Sequence, residues 1–298
     1  MKTLFTLLIL ISLNFQLTAQ SKCDCNPELD FVYEQMQSTS SFKDQIKGDK
    51  KVKFEEMYQM LGNQMEEDIS KVACFWMLNR LMSLVQDKHA EVNEVLPNYE
   101  AEDIQSPEFL LDYRASENFK NFPKTDEDID RLGESLQGKP VSDIEGIYTI
   151  GSKLKIGVYR TDVADSLVGV ILSSELGIWE PGHIYVYIKK SSLPSHFDIT
   201  HYGTVYKNLK FSKEQFFDNG MLLPGVVKED LKKNYAWIEK EAEEGYTLSY
   251  LSDDVQYLWL NSFDRRTMPA KRDTLIEDIS KQLSAKNLII DLRNNGGG

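Results

Sequence analysis

The densest group of residues suited to chemistry closes the chain: Asp291, Leu292, Arg293, Asn294 and Asn295, followed by Gly296, Gly297 and Gly298. Glycine lacks a Cβ and reaches positive φ cheaply, so such a run lets backbone N–H groups approach a reacting atom closely. Amide hydrolysis needs such donors aimed at the oxyanion of its tetrahedral intermediate. The spacing of His183, His196 and His201 fits no metal motif, and they read as turn or surface residues. Cys23, Cys25 and Cys74 lack C-x-x-C spacing and a nearby histidine, so no zinc site is expected. In an oxidising compartment Cys74 can pair with Cys23 or Cys25. No serine stands in a G-x-S-x-G elbow, and Ser262 reads as a loop hydroxyl.

The glycine run needs an element to deliver it. Leu288-Ile289-Ile290 is a continuously apolar strand, preceded by an amphipathic helix over Arg272–Ser284 with Leu275, Ile276, Ile279 and Leu283 facing inward. Before that helix, Tyr257–Phe263 reads as a strand running into a loop. Strand, helix, strand makes a β-α-β unit whose parallel strands are covered on both faces. Ligands in such sheets gather beyond the carboxyl ends of the strands, where the glycines sit.

Upstream, residues 144–210 change pattern to short β-rich runs (146–150, 155–159, 167–172 and 184–188), predicting an antiparallel sheet or small barrel. Residues 96–143 are polar and Pro-punctuated and read as a connector, with one helix over Asp126–Leu136 after a Thr125 cap. Residues 21–95 carry helical periodicity over Leu29–Ile46, Phe54–Met65 and Ile69–Val85, the last with Asp68 as N-cap. Trp76 and Met77 in its apolar stripe are expected in the core. The predicted class is α+β: a helical N-terminal unit, a β-rich antiparallel middle domain, and the start of an α/β core over 211–298.

Residues 1–20 follow the plan of a secretory signal peptide: Lys2, an apolar run from Leu4 to Leu17, then Thr18-Ala19-Gln20. The run is shorter than the ~20 residues a membrane-crossing helix needs. Cleavage after Ala19 or Gln20 is expected, giving an exported, periplasmic or extracellular protein without stable membrane insertion. A formal charge of −13, with no basic patch standing out in the sequence, argues against a nucleic-acid partner.

The segment Leu288-Ile289-Ile290-Asp291-Leu292-Arg293-Asn294-Asn295-Gly296-Gly297-Gly298 resembles the D-L-R-x-N-x-G-G segment of S41, or tail-specific, serine peptidases. No Gly-Leu-Gly-Phe-like PDZ loop is present, so the likeness is to the PDZ-less, tricorn-like branch. The resemblance implies a serine-type endopeptidase that works through an acyl-enzyme on a peptide or protein substrate, without metal or organic cofactor. It makes the N–H of Gly296 or Gly297 an oxyanion donor and Asp291, Arg293 and Asn294 braces of the loop. Residues 81–92 are similar to a family segment whose histidine serves as general base, which implies that role for His89. Lys88 stands where tricorn-like members have a serine, and other members use a lysine that follows the nucleophile.

In the family the nucleophile follows the D-L-R segment on a further strand and helix. A chain ending at Gly298 is then expected to be a fragment without its nucleophile. Two readings compete with the peptidase. One is a binding protein on the same core; the other is an unrelated sheet protein, which would set residues 288–298 at an exposed edge.

Overall fold

The computed structural model describes residues 22–65, 69–87, 92–231, 246–263, 272–293, 295 and 297. They combine helices with a large curled antiparallel sheet, a mixed α+β fold. The chain forms two compact units, one of residues 1–140 and 144–216, the other of 141–143 and 217–298.

The first unit opens with a two-strand ribbon, β1 (Lys22–Cys23) against β2 (Ile69–Ser70). Four helices follow the predicted periodicity with shifted ends: α1 (Asn26–Ser38), α2 (Ser40–Gln45), α3 (Asp49–Gln64) and α4 (Lys71–Met82). The expected single helix over 29–46 breaks at Thr39, whose backbone is extended and whose Oγ1 accepts the Phe42 N–H at 3.2 Å. Likewise α4 starts at Lys71, because Ile69 pairs with Cys23 and the Ser70 hydroxyl caps the helix by accepting the Ala73 N–H at 3.1 Å. The expected cap, Asp68, lies outside the described residues. Leu29, Phe54, Leu61 and Leu81 form the helical core, and the Cys25–Cys74 disulfide crosses it.

Residues 96–143 do more than connect. They form α5 (Pro107–Ala115), α6 (Glu117–Lys120) and α7 (Ile129–Leu136). Thr125 does not cap α7; its hydroxyl lies 2.8 Å from that of Tyr159, and Asp128 takes the cap by accepting the Arg131 N–H. Leu132 and Leu136 of α7 pack on Val170 and Ile184, which fastens this stretch to the sheet.

That sheet is an antiparallel meander of β3 (Gly146–Ile150), β4 (Leu154–Arg160), β5 (Ser166–Ser174), β6 (Ile184–Lys190), β7 (His196–Tyr202) and β8 (Leu209–Phe216). Each strand pairs with its neighbour in sequence, as short turn-separated β runs require. Register shifts at Lys155/Ile156, Gly169/Val170 and Phe197/Ile199 insert bulges, and bulges bend strands and tighten twist.

In the second unit, β9 (Met221–Leu223) and β10 (Val226–Lys228) form a hairpin. A mixed sheet follows, in which β11 (Tyr246–Ser252) runs antiparallel to β12 (Val255–Leu260), and β12 runs parallel to β13 (Asn287–Asp291). Helix α8 (Arg272–Gln282) makes the crossover, so the strand, helix, strand order yields the expected parallel pair. Buried Gln256 fixes the return into β13: its Oε1 accepts the N–H groups of Ser284 and Ala285, and its Nε2 donates to the Gln282 carbonyl. Two expectations about this unit fail. Ile279 packs on Leu258 and Leu260, but Ile276 is 82% exposed, because it lies about 60° round the helix and three strands offer only a narrow face. Nor is β13 covered on both faces: among the described residues it flanks only β12, and Leu288, Ile289, Ile290 and Leu292 are all exposed.

Among the described residues no helix is long and apolar enough to cross a membrane.

Candidate functional site

The loop that leaves β13 is held by a carboxylate clasp. Asp291 is the one buried residue of its strand. It accepts the Arg293 backbone N–H at 2.9 Å and both Nε and Nη2 of the Arg293 guanidinium. The Tyr257 hydroxyl, one strand away, donates to it at 2.5 Å. The Arg293 guanidinium holds this carboxyl far below the ordinary carboxylate range, with the Tyr257 bond acting in the same direction. Asp291 in turn raises Arg293 further, so the pair stays charged throughout ordinary pH.

Beyond the clasp the loop is stitched to the end of β12. The Trp259 indole donates to the Arg293 carbonyl at 2.9 Å, Asn295 Nδ2 donates to the Leu260 carbonyl at 3.1 Å, and Phe263 N–H donates to the Gly297 carbonyl at 3.0 Å. Gly297 has φ +93 and open space around it, so its conformation, rather than crowding, requires glycine.

These bonds place Asp291 and Arg293 as braces of a loop at the carboxyl end of a parallel strand. They also change the expectation for Gly297. Its N–H is already given to Asn295 Oδ1 at 2.8 Å, so it does not stand open to an oxyanion. Asn294, Gly296 and His89 lie outside the described residues. Ser262 is half-buried in the loop after β12. Replacing Asp291 with Ala should cost roughly 2 kcal/mol in urea unfolding, the usual worth of hydrogen bonds to a charged group. Because the folded carboxyl is depressed, this contribution is present above the ordinary carboxylate pKa and fades only as pH falls towards the folded value.

A second cluster of titratable groups, in the first unit, escaped the sequence reading. Lys207 lies in the β7–β8 turn at φ +50, a left-handed conformation that non-glycine residues adopt at a cost. It is nevertheless 7% exposed. Its Nζ sits 3.8 Å from the Phe122 ring centroid and 4.4 Å from that of Trp179, with Phe119 at 5.1 Å and Tyr113 at 5.9 Å. Three bonds hold the turn: Trp179 Nε1 donates to the Thr204 carbonyl, Tyr185 meets the Thr204 hydroxyl, and Tyr99 donates to the Val205 carbonyl.

His183 lies beside this lysine, with Nδ1 3.5 Å from Nζ. It is fully buried, which corrects its reading as a turn or surface histidine, because the chain from Gly177 folds beneath the aromatic residues of 109–122. Nδ1 accepts the Glu180 N–H at 3.0 Å, so a neutral ring carries its proton on Nε2, which finds no polar partner. His196 and His201 lie in strand β7.

Burial lowers His183 to about 2, with the neighbouring cations of Lys207, Lys124 and Arg114 adding to it. Burial also lowers Lys207 to about 6, against an opposing pull from Glu180. Four aromatic faces favour the ammonium form. The arrangement anchors a turn; a sequence scan finds it only by asking why a lysine directly follows the stretch that runs from Tyr202 to Tyr206.

Among the described residues no group of three or more His, Cys, Asp or Glu is placed to hold a metal ion. Comparison with protein-family models finds no match to this chain, and comparison with curated proteins finds none either.

Proposed function

We propose that the chain carries the oxyanion side of an exported serine-type peptidase of the S41, tail-specific kind, which cleaves peptide bonds through an acyl-enzyme. The observation that carries this reading is the Asp291–Arg293–Tyr257 clasp, which braces a glycine-rich loop at the carboxyl end of β13 in a β-α-β unit. That is where an α/β sheet gathers its chemistry. Serine adds to the scissile carbonyl while a general base takes its proton, the amine leaves with that proton, and water then hydrolyses the ester. Since Asn295 occupies the Gly297 N–H, the reading assigns the oxyanion donor to Gly296 and the base to His89. Export is supported by the signal-like residues 1–20 and by the Cys25–Cys74 disulfide, a bond that persists in oxidising compartments.

A second reading draws on the exposed apolar β13, which an unrelated sheet protein with a chance glycine loop would also present. A fluorophosphonate probe separates the two. Residues 21–298 expressed alone should take no label, since no serine in them matches the nucleophile. Wherever a longer product of the gene carries these residues, it should be labelled at one serine and should cleave peptides, with His89→Ala lowering kcat by about 10²–10⁴-fold. A longer product that stays unlabelled and inactive would leave the second reading standing.

A further inference from the structure

The cavity between α4 and strands β6–β8 has no role in that reading. It is a half-open cleft of about 610 Å³, within the ordinary size of small-molecule sites. Its apolar wall is made of Trp76, Met77 and Phe211. Trp76 and Met77 were expected in the helical core; half-buried Met77 does pack against it while also lining this space, whereas Trp76 lines the space without joining the core that α4 fills with Cys74, Leu78 and Leu81.

Two buried polar atoms of its lining residues lack partners. Thr200 is 1% exposed, yet its Oγ1 makes no hydrogen bond, and the buried Trp76 Nε1 makes none. Buried polar groups are nearly always satisfied, so an orphaned pair on one cavity calls for a missing partner. An indole N–H can only donate, so that partner must be an acceptor.

Charge identifies it further. Although the chain carries −13, this cavity gathers Arg80, Lys189, Lys190 and Lys213 against one carboxylate, Asp198. Lys189 Nζ stands 5.7 Å from the Trp76 ring centroid, which sets a cation beside the orphaned indole. Inorganic phosphate would satisfy the charge but leave most of the volume and its Trp, Met and Phe wall unfilled.

From this we infer that the cavity binds an organic carboxylate with an apolar body, the carboxylate accepting from Trp76 Nε1 and Thr200 Oγ1 under Lys189, and the body lying on Trp76, Met77 and Phe211. Free small acids and peptide C-termini share this chemistry.

The indole ¹⁵N–¹H spectrum of the purified chain tests it, because the four tryptophans give separable signals and Trp76→Phe identifies one. Titration with 4-phenylbutyrate should shift the Trp76 signal saturably, whereas 4-phenylbutanol should leave it unmoved. Lys189→Ala combined with Lys190→Ala should weaken the acid at least tenfold, and Thr200→Val severalfold, with folding checked by circular dichroism. Acetyl-Ala-Phe with a free carboxylate is compared with its amide: matching the phenylbutyrate response assigns the site to peptide C-termini, and failing to match it assigns the site to free acids. The proposal is overturned if neither acid moves the Trp76 signal up to about 10 mM, beyond the range of ordinary site affinities. Equal binding of the alcohol overturns it too.

Discussion

Lowering the pH from about 9 to 4 should destabilise the first unit continuously, and Lys207→Met should abolish the upper part of that slope. An ordinary lysine titrates near ~10.4, whereas burial brings Lys207 to about 6 in the fold. Between those values the unfolded chain holds one proton more than the folded chain, so stability rises with pH there. A single proton gives a slope of up to about 1.4 kcal/mol per pH unit; the aromatic faces, by favouring the ammonium, reduce it.

Below about 6.5 the second group takes over. His183 stays neutral in the fold down to about 2 while the unfolded imidazole protonates, so stability again falls with falling pH. Methionine fits the aromatic surroundings of Lys207 without a charge to desolvate. Lys207→Met should therefore raise stability at pH 7 by about 1–3 kcal/mol, because folding no longer has to strip a proton from an ammonium that water keeps charged at that pH. It should flatten the pH 6–9 range and keep the acid limb. Urea midpoints measured across pH decide the matter: an unchanged slope between pH 6 and 9 in the variant would show that Lys207 is charged in the fold.

Reducing the Cys25–Cys74 bond, or replacing both residues with Ala, should lower stability by about 4 kcal/mol. The two cysteines are 49 residues apart, and closing a loop of that length removes roughly this much free energy from the unfolded ensemble. Both are buried in the helical core, where the bond ties the start of α1 to α4. No other link in that core joins residues so distant in sequence covalently. Thermal unfolding with and without reductant, followed by helical circular dichroism, measures the effect. A loss under about 1 kcal/mol would mean that helix packing alone confines the unfolded chain.

How much of this was legible in the residue order differs by element. Strands β3 to β6 were readable because turn-separated runs of β-branched and aromatic residues leave a local signature, and meander pairing follows from adjacency. The parallel β12–β13 pair was readable for a similar reason, since a helix between two apolar strands can return only in parallel. Asp291 and Arg293 were named as braces only through the resemblance to the family segment; the bonds that join them are local.

Much that depended on distant partners was not legible, although the Cys25–Cys74 bond is one of the two pairings the sequence allowed. His183 was read as a turn or surface residue because the histidine spacing fits no metal motif, yet rings contributed from 119 and 122 bury it. Thr125, a sound cap by composition, is taken by Tyr159, 34 residues away. Periodicity marks an apolar stripe on α4 but cannot divide it between a core and a cavity wall, so Trp76 was assigned to the wrong side. Local propensity and spacing thus determined which elements form and in what order. Tertiary packing alone decided which polar groups lose water, and with that the titration of Lys207 and His183 and the burial of Trp76 Nε1 and Thr200 Oγ1 without a protein partner. The reason is that desolvation depends on every atom surrounding a group, and most of those atoms belong to residues far away in the chain.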